Sequence, residues 1–143
     1  MQFNWHNKTV LVAEDDPINF RYLQLLLEKR TGIKIVWAKD GIEAYEKMVN
    51  HSGIDIVLLD LQLPELNGLD VLKHARAYCS DIPVIMQTAN SWNNEQEMSL
   101  ELGANAFFVK PLNIDALFEC MDQCFHEYAE KKSSQSSKIN QIV

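Results

Sequence analysis

Five times along this chain a short apolar run stops at a polar residue and gives way to a stretch with helical spacing. No other feature narrows the fold as far. The first run is Thr9–Ala13. Asp16-Pro17 then reads as an N-cap with Pro at the first helical position. Ile18, Tyr22, Leu25, Leu26 and Lys29 recur at helical spacing, and Thr31-Gly32 closes that helix. The second run is Lys34–Ala38, followed by a helix from about Gly41 to Asn50. The third, Ile54 to Asp60, is nearly continuous in apolar residues, which means burial on both faces. A loop with Pro64 leads to a helix from Gly68 to about Cys79. Pro83–Gln87 is the fourth strand, and a helix around Glu95 to Leu102 ends at Gly103. Ala106–Lys110 is the fifth strand, and Asn113 caps a last helix through about Tyr128. Strand and helix alternating through short loops imply an α/β fold, a parallel sheet with right-handed crossovers covering both faces.

The rest of the composition sets limits. With 143 residues, 47% hydrophobic and 23% charged, the chain suits one globular domain. We read residues 1–8 as an N-terminal extension, 9–129 as the domain, and 130–143 as a flexible Ser- and Lys-rich tail without apolar period. Residues 1–129 carry ten basic and nineteen acidic side chains, so phosphate backbones are repelled and nucleic acid is not an expected partner. No apolar run approaches membrane-spanning length, and residues 1–8 lack a signal core. Three cysteines, Cys79, Cys120 and Cys124, do not make a disulfide scaffold and point to a reducing, cytoplasmic setting. Cys120 and Cys124 read as small core residues of the last helix rather than metal ligands.

The chemistry gathers where strands stop. Glu14 and Asp15 follow the first run, Asp60 ends the third, Thr88 follows the fourth and Lys110 ends the fifth. Only the second run departs, ending in Lys39-Asp40. In an open parallel sheet the carboxyl ends of the strands share one edge, where ligands bind. Three acids converging there repel one another unless a cation sits among them. Oxygen donors without His or Cys suit Mg2+. Lys110 adds positive charge and Thr88 a hydroxyl donor, a setting made for a small dianion. A carboxylate that attacks a phosphoryl group gives an acyl phosphate. The residues therefore read as phosphoryl acceptance on an Asp, aided by Mg2+. Asp16, before Pro17, reads as the helix cap rather than a third ligand.

The segment Val10-Leu-Val-Ala-Glu-Asp-Asp-Pro-Ile-Asn19 resembles the opening of receiver domains of bacterial two-component response regulators. Leu59-Asp-Leu-Gln-Leu-Pro-Glu-Leu-Asn-Gly68 resembles that family's phosphoacceptor strand and loop, and Gln87-Thr-Ala89 and Phe108-Val-Lys-Pro111 resemble its later signatures. The likeness runs from about Thr9 to Tyr128. It implies a flavodoxin-like, doubly wound fold with strand order 2-1-3-4-5. It implies that Asp60 accepts a phosphoryl group from a sensor histidine kinase or a histidine phosphotransfer domain. It also implies Mg2+ ligation by Asp15, Asp60, the backbone carbonyl of Gln62 and, through water, Glu14. Lys110, Thr88 and the Ala89 amide would contact phosphoryl oxygens, Gly68 matches the glycine after the phosphoacceptor loop, and the Lys110-Pro111 bond would be cis. Thr88 and Phe107 are the implied switch pair, with Phe107 where Tyr is common, and Trp92 follows in the adjoining loop. The phrase beginning Asn4-Trp5 and the Glu14-Asp-Asp-Pro-Ile-Asn19 spelling also resemble receivers fused to hybrid histidine kinases. The implied role is a switch rather than a turnover enzyme, acting through a downstream protein or a phosphorylation-dependent homodimer. The sequence leaves open a stand-alone regulator or an excised hybrid-kinase receiver. Two other classes compete. A Mg2+ phosphohydrolase with an Asp nucleophile commonly has a second Asp two residues on, where this chain has Gln62; the other is a receiver-like module that no longer phosphorylates.

Overall fold

The computed structural model describes residues 3–50, 53–79, 81–89 and 94–142; Trp92 lies outside them. Ten elements alternate: β1 (Thr9–Ala13), α1 (Pro17–Thr31), β2 (Lys34–Ala38), α2 (Gly41–Asn50), β3 (Ile56–Asp60), α3 (Gly68–Ala75), β4 (Val84–Thr88), α4 (Glu95–Glu101), β5 (Ala106–Val109) and α5 (Ile114–Ile142). The strands form one sheet in the order β2-β1-β3-β4-β5. Every neighbouring pair is parallel. The expected fold class and strand order are those observed. The order reverses beside β1, so the crevice between β1 and β3 opens at the carboxyl edge.

Alternation along each strand feeds two cores. Leu11, Val57, Leu59, Val84 and Met86 face α2 and α3, packing on Ala44, Met48, Val71 and Leu72. Val10, Val12, Ile56, Leu58 and Ile85 face α1 and α5, packing on Leu23, Leu27, Leu117, Phe118 and Met121. β3 is buried along its whole length, as its continuous apolar run requires.

Three features differ from the sequence reading. On α1 the inward face is Phe20, Leu23, Leu27 and Thr31. Ile18 and Tyr22 are 79% and 60% exposed. Apolar residues occur on both sides of this helix, so spacing reveals the helix but not its rotation. Residues 1–8 are more than an extension. Trp5 is buried, its backbone N–H donates to Thr31 O at 2.8 Å, and its ring packs edge-on against Phe118 and Phe125. An aromatic ring of this size buries enough apolar area to draw its flanking chain into the domain. Finally, the last helix, read from sequence to about Tyr128, continues as α5 to Ile142. Glu130–Asn140 contains no Pro or Gly, so nothing in it stops a helix already nucleated by packing.

Among the described residues, no helix is long and apolar enough to cross a membrane.

Candidate functional site

Strand endings build the site. Glu14 is the first residue after β1; its N–H donates to Ala38 O at 3.0 Å, which continues the β1–β2 pairing by one residue. Its side chain is 1% exposed. Asp15, the next residue, is exposed. Asp16 adopts extended backbone and accepts from Ile18 N through Oδ1 at 2.9 Å, starting α1 as its N-cap. Asp60 is the last residue of β3 and is buried. Carboxylate oxygens of Glu14, Asp15 and Asp60 all lie within 4.8 Å of one another.

Lys110 follows β5, two strands from Asp60. Its Nζ donates to Asp60 Oδ2 at 2.8 Å and to Glu14 Oε2 at 2.9 Å. Its own N–H donates to Thr88 O at 2.8 Å, fixing where the side chain departs. The Lys110–Pro111 peptide is cis. Burial works against the charged Lys110, yet its bonds to Asp60 and Glu14 outweigh that and raise its pKa above the usual lysine value. Burial raises the Glu14 carboxyl above the ordinary carboxylate range; the Lys110 bond opposes this, and the charge of Asp60 adds to it. Three acids against one ammonium leave the cluster short of positive charge. That donor set, all oxygen, fits a hard divalent cation.

The segment after Asp60 folds back over it. Leu61 N–H donates to Gln87 O at 2.8 Å, Gln62 N–H to Asp60 Oδ1 at 3.0 Å, and Gly68 N–H to Leu61 O at 2.7 Å. A Cβ on Gly68 would collide with the Asp60 carbonyl, so only glycine permits this return. Gly41 plays the same part from α2, donating to Pro64 O at 3.0 Å where a side chain would strike the Leu66 carbonyl.

Thr88 is buried at the end of β4, one residue beyond Gln87, which pairs in register with Asp60. Ala89 follows it and is exposed. Phe107 pairs with Met86 and so shares the face of Thr88, diagonally across the β4–β5 ladder. It is half-buried against the core under α2 and α3. Asp60, Glu14, Asp15, Gln62, Thr88, Ala89 and Lys110 thus stand along one edge, with Phe107 one step behind. Cys120 and Cys124 sit apart on α5, within the other core.

The model of the response regulator receiver domain family matches residues 10–122. The chain belongs to that family. This receiver is 36% identical over 140 residues to hybrid signal transduction histidine kinase I of Dictyostelium discoideum, covering 92% of this chain and 8% of that protein. It is 36% identical over 107 residues to the alkaline phosphatase synthesis transcriptional regulatory protein PhoP of Bacillus subtilis, covering 75% of this chain and 44% of that protein. The chain spans less than half the length of either relative. A CheY-like receiver domain protein of Methanospirillum hungatei superposes with a TM-score of 0.81 at 26% identity, over 87% of this chain and 98% of that one. The receiver domain of a Pseudomonas aeruginosa sensor histidine kinase, solved with a magnesium ion coordinated in its active-site cleft, has a TM-score of 0.76 at 26% identity, over 84% and 98%. Receivers are the phosphoacceptor switches of two-component systems, and they partner with histidine kinases or phosphotransfer proteins.

Two features near this site escaped sequence reasoning. Trp37 donates its indole N–H to the Glu14 carbonyl at 2.8 Å. Gln87 is a buried amide in an otherwise apolar strand, and its Nε2 has no partner among the described residues. It lines a cavity of about 430 Å3 together with Glu14, Tyr22, Lys110 and Leu112. A polar residue inside a buried strand was the available signal for Gln87. No spacing rule marks the Trp37 contact.

Proposed function

We propose that this receiver accepts a phosphoryl group on Asp60 from the phosphohistidine of a sensor kinase or phosphotransfer domain, in a Mg2+-dependent reaction. The observation that carries the reading is the Lys110 ammonium bonded at once to Asp60 and Glu14. A strand-end carboxylate lies beside a fixed cation that meets it at hydrogen-bond distance. In the transfer an Asp60 oxygen bonds to phosphorus as the P–N bond of phosphohistidine breaks, and the imidazole leaves with the electron pair. Asp15, Asp60, the Gln62 carbonyl and Glu14 through water would hold Mg2+, which supplies charge neutralisation for the phosphoryl oxygens. Lys110 takes one phosphoryl oxygen, while the Thr88 hydroxyl and the Ala89 amide take others. Thr88 moves toward the new group and Phe107 turns into the space behind it, carried by ring burial alone because it has no hydroxyl.

Two surfaces serve the partners. Exposed Ile18, Tyr22 and Leu25 on α1, beside the cavity, receive the phosphodonor. Exposed Met98, Leu100 and Val109 on α4 and β5 present the switched face to a downstream protein or a second copy. The protein works as a cytoplasmic switch without steady turnover, since Gln62 cannot shuttle a proton for hydrolysis.

Intact mass after incubation with acetyl phosphate tests the reading. One phosphate adds in Mg2+, none in EDTA, and none to Asp60→Asn. Equal labelling of the variant overturns it, and steady release of phosphate from added esters favours a phosphohydrolase instead.

A further inference from the structure

β2 is the one strand that delivers no acid, hydroxyl or ammonium to the site. Its contribution comes through Trp37. The indole Nε1–H donates to the backbone carbonyl of Glu14 at 2.8 Å. That carbonyl belongs to the peptide joining Glu14 to Asp15, so the bond fixes the plane from which both acids project. Trp37 makes three further contacts. Its ring stacks on Phe20 of α1 with centroids 4.2 Å apart and planes 2° apart. Lys39 lies 5.0 Å from its centroid. Lys47 of α2 donates to its backbone carbonyl at 2.6 Å. Trp37 also pairs in register with Val12, two residues before Glu14, so its main chain is tied to the same strand end.

We infer that Trp37 is a positioning residue for the Mg2+ site, setting the Glu14–Asp15 peptide through its indole N–H. The inference rests on the Mg2+ role proposed above. Glu14 is held from several directions: its N–H by Ala38 O, its Oε2 by Lys110 and its Oε1 by Asp16 N at 3.2 Å. Asp15 is exposed, and where its carboxylate points follows from the peptide before it. Losing the indole donor therefore acts first on Asp15.

Trp37→Phe keeps a ring on Phe20 and deletes the N–H. Phe20→Leu is the packing control, weakening the stack while leaving the donor. Mg2+ affinity is measured by calorimetric titration of the full chain, and stability by urea unfolding in EDTA. Trp37→Phe should bind Mg2+ about three- to ten-fold more weakly, the range for one lost hydrogen bond. Phe20→Leu should lose stability with Mg2+ affinity within about twofold of wild type, as expected where no bond to the site is removed. Equal affinity in Trp37→Phe and wild type overturns the inference, as does an equal loss in both variants. Wild-type NMR provides a readout that needs no variant: the Trp37 indole N–H resonance should shift in step with Mg2+ saturation, while that of Trp5, bonded to Asp122 at 3.3 Å, stays still. A Trp37 resonance that does not move sinks the proposal even if the variant fails to fold. Absence of Mg2+ binding by wild type removes the proposed function itself, and the inference falls with it.

Discussion

Lys110→Met removes a charge and keeps most of the side-chain bulk. Nζ lies 2.9 Å from Glu14 Oε2 and 2.8 Å from Asp60 Oδ2, and those acids are 1% and 7% exposed against 21% for the lysine. Removing one member of a buried ion pair typically costs ~3–5 kcal/mol, because a charge is left buried without its partner. Here the lysine is partly solvated and Glu14 can escape by taking up a proton, so we expect ~2–3 kcal/mol at neutral pH in EDTA. That is a fall in Tm of roughly 6–12 °C. The pH dependence follows from the sign of each shift. The folded-state pKa of Glu14 lies above its ordinary 4.5 even with Lys110 present, and losing the ammonium raises it further. A carboxyl with a raised folded pKa makes the folded state bind more protons, so stability grows as pH falls toward the unfolded value. The gap between variant and wild type should therefore narrow as pH falls from neutral toward the ordinary carboxylate range. Mg2+ should narrow it too, because without the competing ammonium on Glu14 and Asp60 the folded variant binds the cation more tightly than wild type does. In wild type the raised Lys110 pKa contributes stability that is fully present below 10.5 and lost as pH climbs through the folded value. The variant should lack that alkaline loss. Urea unfolding over this pH range, with EDTA and with Mg2+, measures all of it. A gap indifferent to both pH and Mg2+ would mean that Lys110 does not neutralise Glu14 and Asp60 in the folded protein.

The remaining expectations concern the scaffold around the site. Arg76 donates to the carbonyls of Cys79, Ile82 and Gly103 and to Asn105 Oδ1, clasping the loop before β4 to the turn before β5; Arg76→Met should cost ~2–4 kcal/mol in urea unfolding, because it strands several acceptors. Gly41→Ala forces a methyl against the Leu66 carbonyl; it should lose ~1–3 kcal/mol and slow phosphorylation by acetyl phosphate, since the displaced loop begins at Asp60. Asp15→Ala should weaken Mg2+ in calorimetry more than Asp16→Ala, which should instead cost about 1 kcal/mol of stability through the lost cap.

Much of this architecture can be read from residue order alone, because a parallel sheet puts every strand ending on one edge. That single rule collects Glu14, Asp15, Asp60, Thr88 and Lys110. Side chains that work through backbone atoms elude it. Trp37 and Arg76 act on carbonyls brought near by the fold, and neither position has a spacing that betrays its partner. The rotation of α1 eludes it for another reason: Ile18, Tyr22 and Leu25 are as apolar as Phe20, Leu23 and Leu27, so burial is decided by what the helix meets. The length of α5 is missed for a third reason. A polar composition suggested a tail, although no residue in Glu130–Asn140 forbids helix.

Locating the phosphoryl group on the chain decides whether Asp60 is its acceptor. Protein treated with acetyl phosphate and Mg2+ is reduced with borohydride, which converts an aspartyl phosphate to homoserine, and is then digested and sequenced by tandem mass spectrometry. Homoserine is expected at position 60 alone, absent when Mg2+ is removed. Homoserine at position 15 or 16, or an unmodified position 60 in protein that carries phosphate, would contradict it.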